Sequence, residues 1–138
     1  MRTALAPVEA RADERAATRD RFEVNAEPRE RLRAVREAIE AWDSDARVAV
    51  VTSGGLSHFT VDEDIDRLAL QGLTTADSQI LSTLPRYKLQ SATTEILNWV
   101  AAAGAMGETP MDLITYQPGY RSAAGTGCGC AVGRWIPE

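Results

Sequence analysis

Apolar residues recur at three- and four-residue steps early in the chain. Leu32, Val35, Ile39 and Trp42 share one face, which predicts an amphipathic helix over residues 28–42. Pro28 suits the first turn of that helix, where a missing N–H costs nothing. The run Arg47-Val-Ala-Val-Val-Thr52 is β-branched and apolar at consecutive positions. A segment apolar on both faces reads as a buried strand of a parallel sheet. Thr60 followed by Glu63 has the spacing of a capping box and opens a helix through Leu70, with Ile65, Leu68 and Ala69 inward. Residues 75–84 form a short helix stopped before Pro85. A longer helix covers residues 91–103, with Gly104 as its C-cap. Residues 111–117 alternate as a second strand. The glycine-rich residues 118–135 read as loop, with a last strand near 131–135.

The order helix, strand, helices, strand predicts an α/β domain, helices packed on a mainly parallel or mixed sheet. Residues 1–23 are polar and alanine-rich and read as a poorly ordered or helical lead-in, so the packed unit is expected over 24–138. The 138 residues are enough for one domain. A hydrophobic share of 44% and a charged share of 25% place it among globular chains. The net charge of −5 argues against nonspecific nucleic-acid binding, which needs clustered cations. No apolar stretch reaches the ~20 residues of a membrane span, and residues 1–23 lack the apolar centre of a secretory signal. A cytoplasmic chain is expected.

Chemistry concentrates at Thr52-Ser-Gly-Gly-Leu-Ser-His58, where an apolar run ends in two glycines and the only histidine of the chain. Ligands of open α/β sheets bind beyond strand ends, and imidazole exchanges protons near neutral pH. His58 is therefore either an acid/base group or a hydrogen-bonding residue of the following helix. Ser57 beside it raises the idea of a serine hydrolase, but neighbouring strand residues face opposite ways and the Gly-x-Ser-x-Gly elbow is absent. Glu95 stands in an otherwise uncharged helical stretch. It either complements the helix dipole or binds a metal. Cys128 and Cys130 are too close for an ordinary structural bridge and too few for a zinc site. Asp62, Glu63, Asp64 and Asp66 read as the solvated acidic start of a helix.

Three blocks together carry a resemblance: residues 47–70, ending the glycine turn in "GGLSH"; residues 84–106, with "TTEILNW"; and residues 120–135, "YRSAAGTGCGCAVGRW". In this order they resemble the C-terminal half of class III extradiol ring-cleavage dioxygenases, the family of the protocatechuate 4,5-dioxygenase beta subunit, over residues 28–136. The resemblance implies a partial version of that fold and meta cleavage of a catecholic ring with O₂ at a non-haem Fe(II) site. It implies His58 as the acid/base residue and Glu95 as an iron ligand. It also implies two histidine ligands that this chain does not carry, supplied by a second chain or homo-oligomer. The partners implied are a small aromatic diol and O₂, with neither nucleic acid nor membrane. The alternative is a truncated, inactive fragment or partner subunit of the same fold.

Overall fold

The helix foreseen after Thr60 forms at Glu63–Thr74 (α1), but its cap is Asp62, whose side chain accepts the Ile65 N–H. The computed structural model describes residues 36–136. The lead-in 1–23 and the first part of the helix expected at 28–42 lie outside the described residues; residues 36–40 are helical as expected. Burial pushes the Asp62 carboxyl up, but hydrogen bonds from Lys88 and the Ile65 N–H outweigh it and hold the group below its usual range. A short helix at Ser78–Ser82 (α2) is capped by Asp77, which accepts from Gln79 and Ile80 N–H. Residues Ser91–Glu95 wind as a 3₁₀ turn, and an α-helix follows at Ile96–Met106 (α3). That helix ends at Gly107, with φ +66°, rather than at Gly104.

The sheet has three described strands, His58–Thr60 (β1), Asp112–Tyr120 (β2) and Thr126–Arg134 (β3), in the order β1-β3-β2. Both pairings are antiparallel. The layered class, helices on a sheet, therefore holds, while the parallel pairing expected of residues 47–52 is not made among the described residues. That run forms no regular element, and Val51 is 86% exposed. A strand apolar on both faces needs cover on both, and no described element supplies it. The last strand, expected only near 131–135, begins at Thr126. Its glycines are poor strand formers on their own, but the hairpin with β2 supplies the backbone partners. Pro118 is tolerated in β2 because β2 is an edge strand.

The core lies between the helices and the start of the sheet. Ile65, Ala69 and Leu73 of α1 meet Ile96, Trp99 and Val100 of α3, with Leu56 and Met111 closing the cluster. A Leu or Ile so buried contributes about 1.5–3 kcal/mol. Three polar side chains share this interior, Ser57, Thr93 and Asp66. Asp66 is fully buried. Its Oδ1 accepts the Ser57 N–H at 2.8 Å, and its Oδ2 accepts the Ser57 hydroxyl at 2.9 Å and the Tyr116 hydroxyl at 2.8 Å. Ser57 Oγ in turn accepts the Asp62 N–H at 2.9 Å. A side chain at Gly129 would collide with the Asp66 carboxylate, so the glycine of β3 is what admits it. Asp66 thus departs from the solvated role expected of the acidic run.

Burial raises the Asp66 pKa despite the hydrogen bonds that pull it down. Its ionised form therefore opposes folding above the ordinary value of 3.8, and that penalty is relieved as pH falls through the raised folded value. Tyr116→Phe removes one donor and is expected to cost about 1 kcal/mol. Asp66→Ala strands the Ser57 N–H and is expected to cost about 3 kcal/mol or more at neutral pH. In urea titrations the advantage of wild type over Asp66→Ala is expected to grow as pH is lowered toward the ordinary Asp value. An advantage that shrinks on acidification contradicts the assignment.

Candidate active site

Gly54 and Gly55 bring together side chains that are far apart in sequence. Gly54 has φ +134°, and a Cβ there would lie 2.7 Å from Glu95 Oε2. A Cβ on Gly55 would lie 2.6 Å from His58 Cε1 and strike Cys128 Sγ as well. Glycine is therefore required at both positions by space, and at Gly54 by backbone conformation also. The peptide so exposed is used: the Gly55 N–H donates to Glu95 Oε2 at 2.7 Å.

Three elements clamp the loop. From α3, Trp99 Nε1 donates to Gly54 O and Asn98 Nδ2 to Ser53 O, each at 3.2 Å. From β3, Gly129 O accepts the Leu56 N–H at 2.7 Å, and the Gly129 N–H donates to Ser57 O at 2.9 Å. From the 3₁₀ turn, buried Thr93 accepts the His58 N–H at 3.0 Å and donates its hydroxyl to His58 O at 2.6 Å. The backbone of His58 is thus fixed on both sides before its imidazole is considered.

The imidazole has one fixed nitrogen and one working nitrogen. Nδ1 lies 3.0 Å from Leu56 O. A carbonyl only accepts, so Nδ1 carries the proton and Nε2 of the neutral ring is an acceptor. Nε2 is 3.8 Å from Glu95 Oε2 and 3.0 Å from Cys128 Sγ. With Nε2 an acceptor, the single Cys128 S–H can donate to it, the Gly129 carbonyl at 3.2 Å being its other acceptor. Burial first, and the neighbouring Cys130 second, push the Cys128 thiol up to about 11, which keeps it protonated in that role. The His58 side chain is 18% exposed and that of Glu95 39%, so the carboxylate opens to solvent while the ring is mostly enclosed. A base with one nitrogen anchored and the other facing a carboxylate can take up and return a proton at a single defined point.

A family model described as the catalytic LigB subunit of aromatic ring-opening dioxygenase matches residues 30–129. The chain belongs to this family. No curated protein matches it, and no solved structure does. The LigB match spans both the glycine turn with His58 and the Thr93–Glu95 turn, the two segments the fold brings into contact.

In this LigB chain the two candidate residues, His58 and Glu95, sit side by side. Ser57 does not join them. It is 1% exposed and spends its hydroxyl on Asp66 and the Asp62 N–H, so it has no path to a substrate. Cys128 reaches the site, contrary to its reading as a loop residue, because β3 places it opposite His58 in register. Thr93 and Asp66 escaped sequence reasoning. Asp66 did carry a signal, since it stands three residues before Ala69 and seven before Leu73, on the apolar face of α1. Among the described residues no group of three or more His, Cys, Asp and Glu is arranged to hold a metal ion, nor is any helix long and apolar enough to cross a membrane.

Gly55→Ala is expected to force His58 and Cys128 aside at a cost of about 1–3 kcal/mol, the range for overpacking a filled site. Gly54→Ala adds backbone strain and should cost at least as much. Thermal or urea unfolding of the two variants measures this. Midpoints equal to wild type in both would mean that the turn does not need its glycines.

Proposed function

We propose that this chain carries the proton-handling part of an extradiol dioxygenase site, acting in meta cleavage of a catecholic ring with O₂. The observation that carries the reading is the meeting of His58 and Glu95, 3.8 Å apart across a glycine turn built to admit both. Membership of a ring-opening dioxygenase family supports it. His58 Nε2 is the atom that takes the proton of a ring hydroxyl, with Leu56 O holding the ring in the needed tautomer. Thr93 holds the His58 backbone while that proton is carried.

Glu95 is a hard anionic donor of the kind Fe(II) takes in a two-histidine, one-carboxylate centre. The residues present do not fit that centre by themselves, because the chain holds one histidine and that one faces Cys128 and the carboxylate. The reading therefore assigns Glu95 as one ligand and requires two imidazoles from a second chain or a homo-oligomer. The same single histidine favours a second reading, a catalytically inactive partner subunit of the same fold.

Anaerobic Fe(II) reconstitution separates the two. With a histidine-bearing partner supplied, wild type is expected to keep iron through desalting and Glu95→Ala to lose it. His58→Ala is expected to keep iron but to lower O₂ uptake with catechols by roughly 10²–10⁴-fold, the usual worth of a general base. Full iron occupancy in Glu95→Ala removes the ligand role. Iron kept by neither protein favours the inactive subunit.

A further inference from the structure

Two free thiols stand beside the His58 imidazole, and the reading above leaves them without a task. Cys128 and Cys130 lie two residues apart on β3 and so point to one face. Their Sγ atoms are 3.8 Å apart. Cys130 is exposed, whereas Cys128 is partly buried and can donate to His58 Nε2 at 3.0 Å. We propose that Cys128-Gly129-Cys130 is a peroxide-sensitive modification site whose oxidation withdraws the thiol hydrogen bond from His58.

The chemistry takes two steps, with hydrogen peroxide as oxidant. The exposed Cys130 sulfur attacks a peroxide oxygen. An S–O bond forms, the O–O bond breaks, and one water leaves, giving a sulfenic acid. The Cys128 sulfur then attacks the Cys130 sulfur. An S–S bond forms, the S–O bond breaks, and the departing hydroxide leaves with the Cys128 proton as a second water. In sum, two thiols lose two electrons and two protons, and hydrogen peroxide becomes two waters. Exposure sets the order of attack, since Cys130 meets solvent first. Proximity sets the second step, which needs side-chain rotation to close 3.8 Å to the bond length of about 2.05 Å.

The geometry also makes the bond reversible. A strand rises ~3.3 Å per residue, so these Cα atoms stand ~6.6 Å apart, near the upper limit for a disulfide. Bridges held that wide are strained and easily reduced. The consequence falls on His58. The proton that Cys128 can give to Nε2 is gone in the oxidised form, and the sulfur has turned toward Cys130.

The test uses the full chain and hydrogen peroxide, and needs neither metal nor aromatic substrate, so it stands apart from the ring-opening reading. Trypsin cuts after Arg121 and Arg134, leaving both cysteines in one peptide. After peroxide that peptide is expected to lose the mass of two hydrogens and to regain it with dithiothreitol. Cys128→Ser is expected to hold a sulfenic acid at Cys130 that dimedone traps, and Cys130→Ser to take up no dimedone. Because the chain has a single histidine, the N-carbethoxyhistidine absorbance formed by diethylpyrocarbonate reports on His58 alone, and its rate of appearance should rise severalfold on oxidation. Oxygen gained at the sulfurs without loss of two hydrogens overturns the site, as does trapping of Cys128 in Cys130→Ser. An unchanged diethylpyrocarbonate rate overturns the link to His58.

Discussion

Asp66 is a carboxylate sealed from water, and the arrangement of the site follows from the groups that must satisfy it. A buried carboxylate without donors is one of the costliest features a small domain can carry. Here the donors are the backbone and hydroxyl of Ser57 and the hydroxyl of Tyr116. Ser57 belongs to the glycine turn, Tyr116 to β2, and Asp66 itself to α1. The carboxylate therefore ties the turn to a strand and a helix at one point. His58 is the next residue after Ser57, and its backbone is taken up by Thr93. The imidazole is placed by this held backbone together with its own contacts to Leu56 O and the Cys128 thiol.

The same turn explains why Glu95 stands where it does. Its carboxylate accepts the Gly55 N–H, and α3, which begins one residue later, sends Asn98 and Trp99 back to the same loop. Glu95 is thus both an anchor for the turn and, through its exposed face, a group open to a ligand. Of the two readings the sequence left open for this residue, the structural one takes the form of a hydrogen bond to the glycine turn rather than a helix-dipole contact, and the ligand role is the one proposed above. Its partner across 3.8 Å, His58, has the complementary division between an anchored Nδ1 and an unprotonated Nε2 that lies 3.0 Å from the Cys128 thiol.

Much of this was legible in the sequence, and the parts that were not have physical causes. The helices α1 and α2 and the strand β2 follow from periodicity and capping residues that act locally. His58 and Glu95 stood out as a single imidazole after two glycines and a lone carboxylate in an apolar helix, but spacing alone left each with a structural reading, and only the family resemblance pointed to chemistry. The strand β3 was mostly missed because Gly127 and Gly129, alternating with its first residues, have little strand propensity. Its glycines are there to admit neighbours, above all Asp66 under Gly129. Residues 47–52 misled in the other direction. Their composition suits a strand covered on both faces, and Val48, Val50 and Val51 instead meet solvent. Such a surface is of the kind proteins use for association. Asp66 looked like one more solvated acid because its neighbours Asp62, Glu63 and Asp64 are near the surface, and only its helical phase set it apart.

The central claim is that the clamped turn fixes His58 with its proton on Nδ1 and an unprotonated Nε2 facing the Cys128 thiol and Glu95. Long-range ¹H–¹⁵N correlation spectroscopy of the single, ¹⁵N-labelled histidine reads this directly at a pH where the ring is neutral. The account predicts one Nδ1-protonated tautomer in the native chain, with the mixed tautomers of a free imidazole appearing once urea unfolds it. A native spectrum with the proton on Nε2 would contradict the placement of the base, and with it the proton-handling role built on that nitrogen.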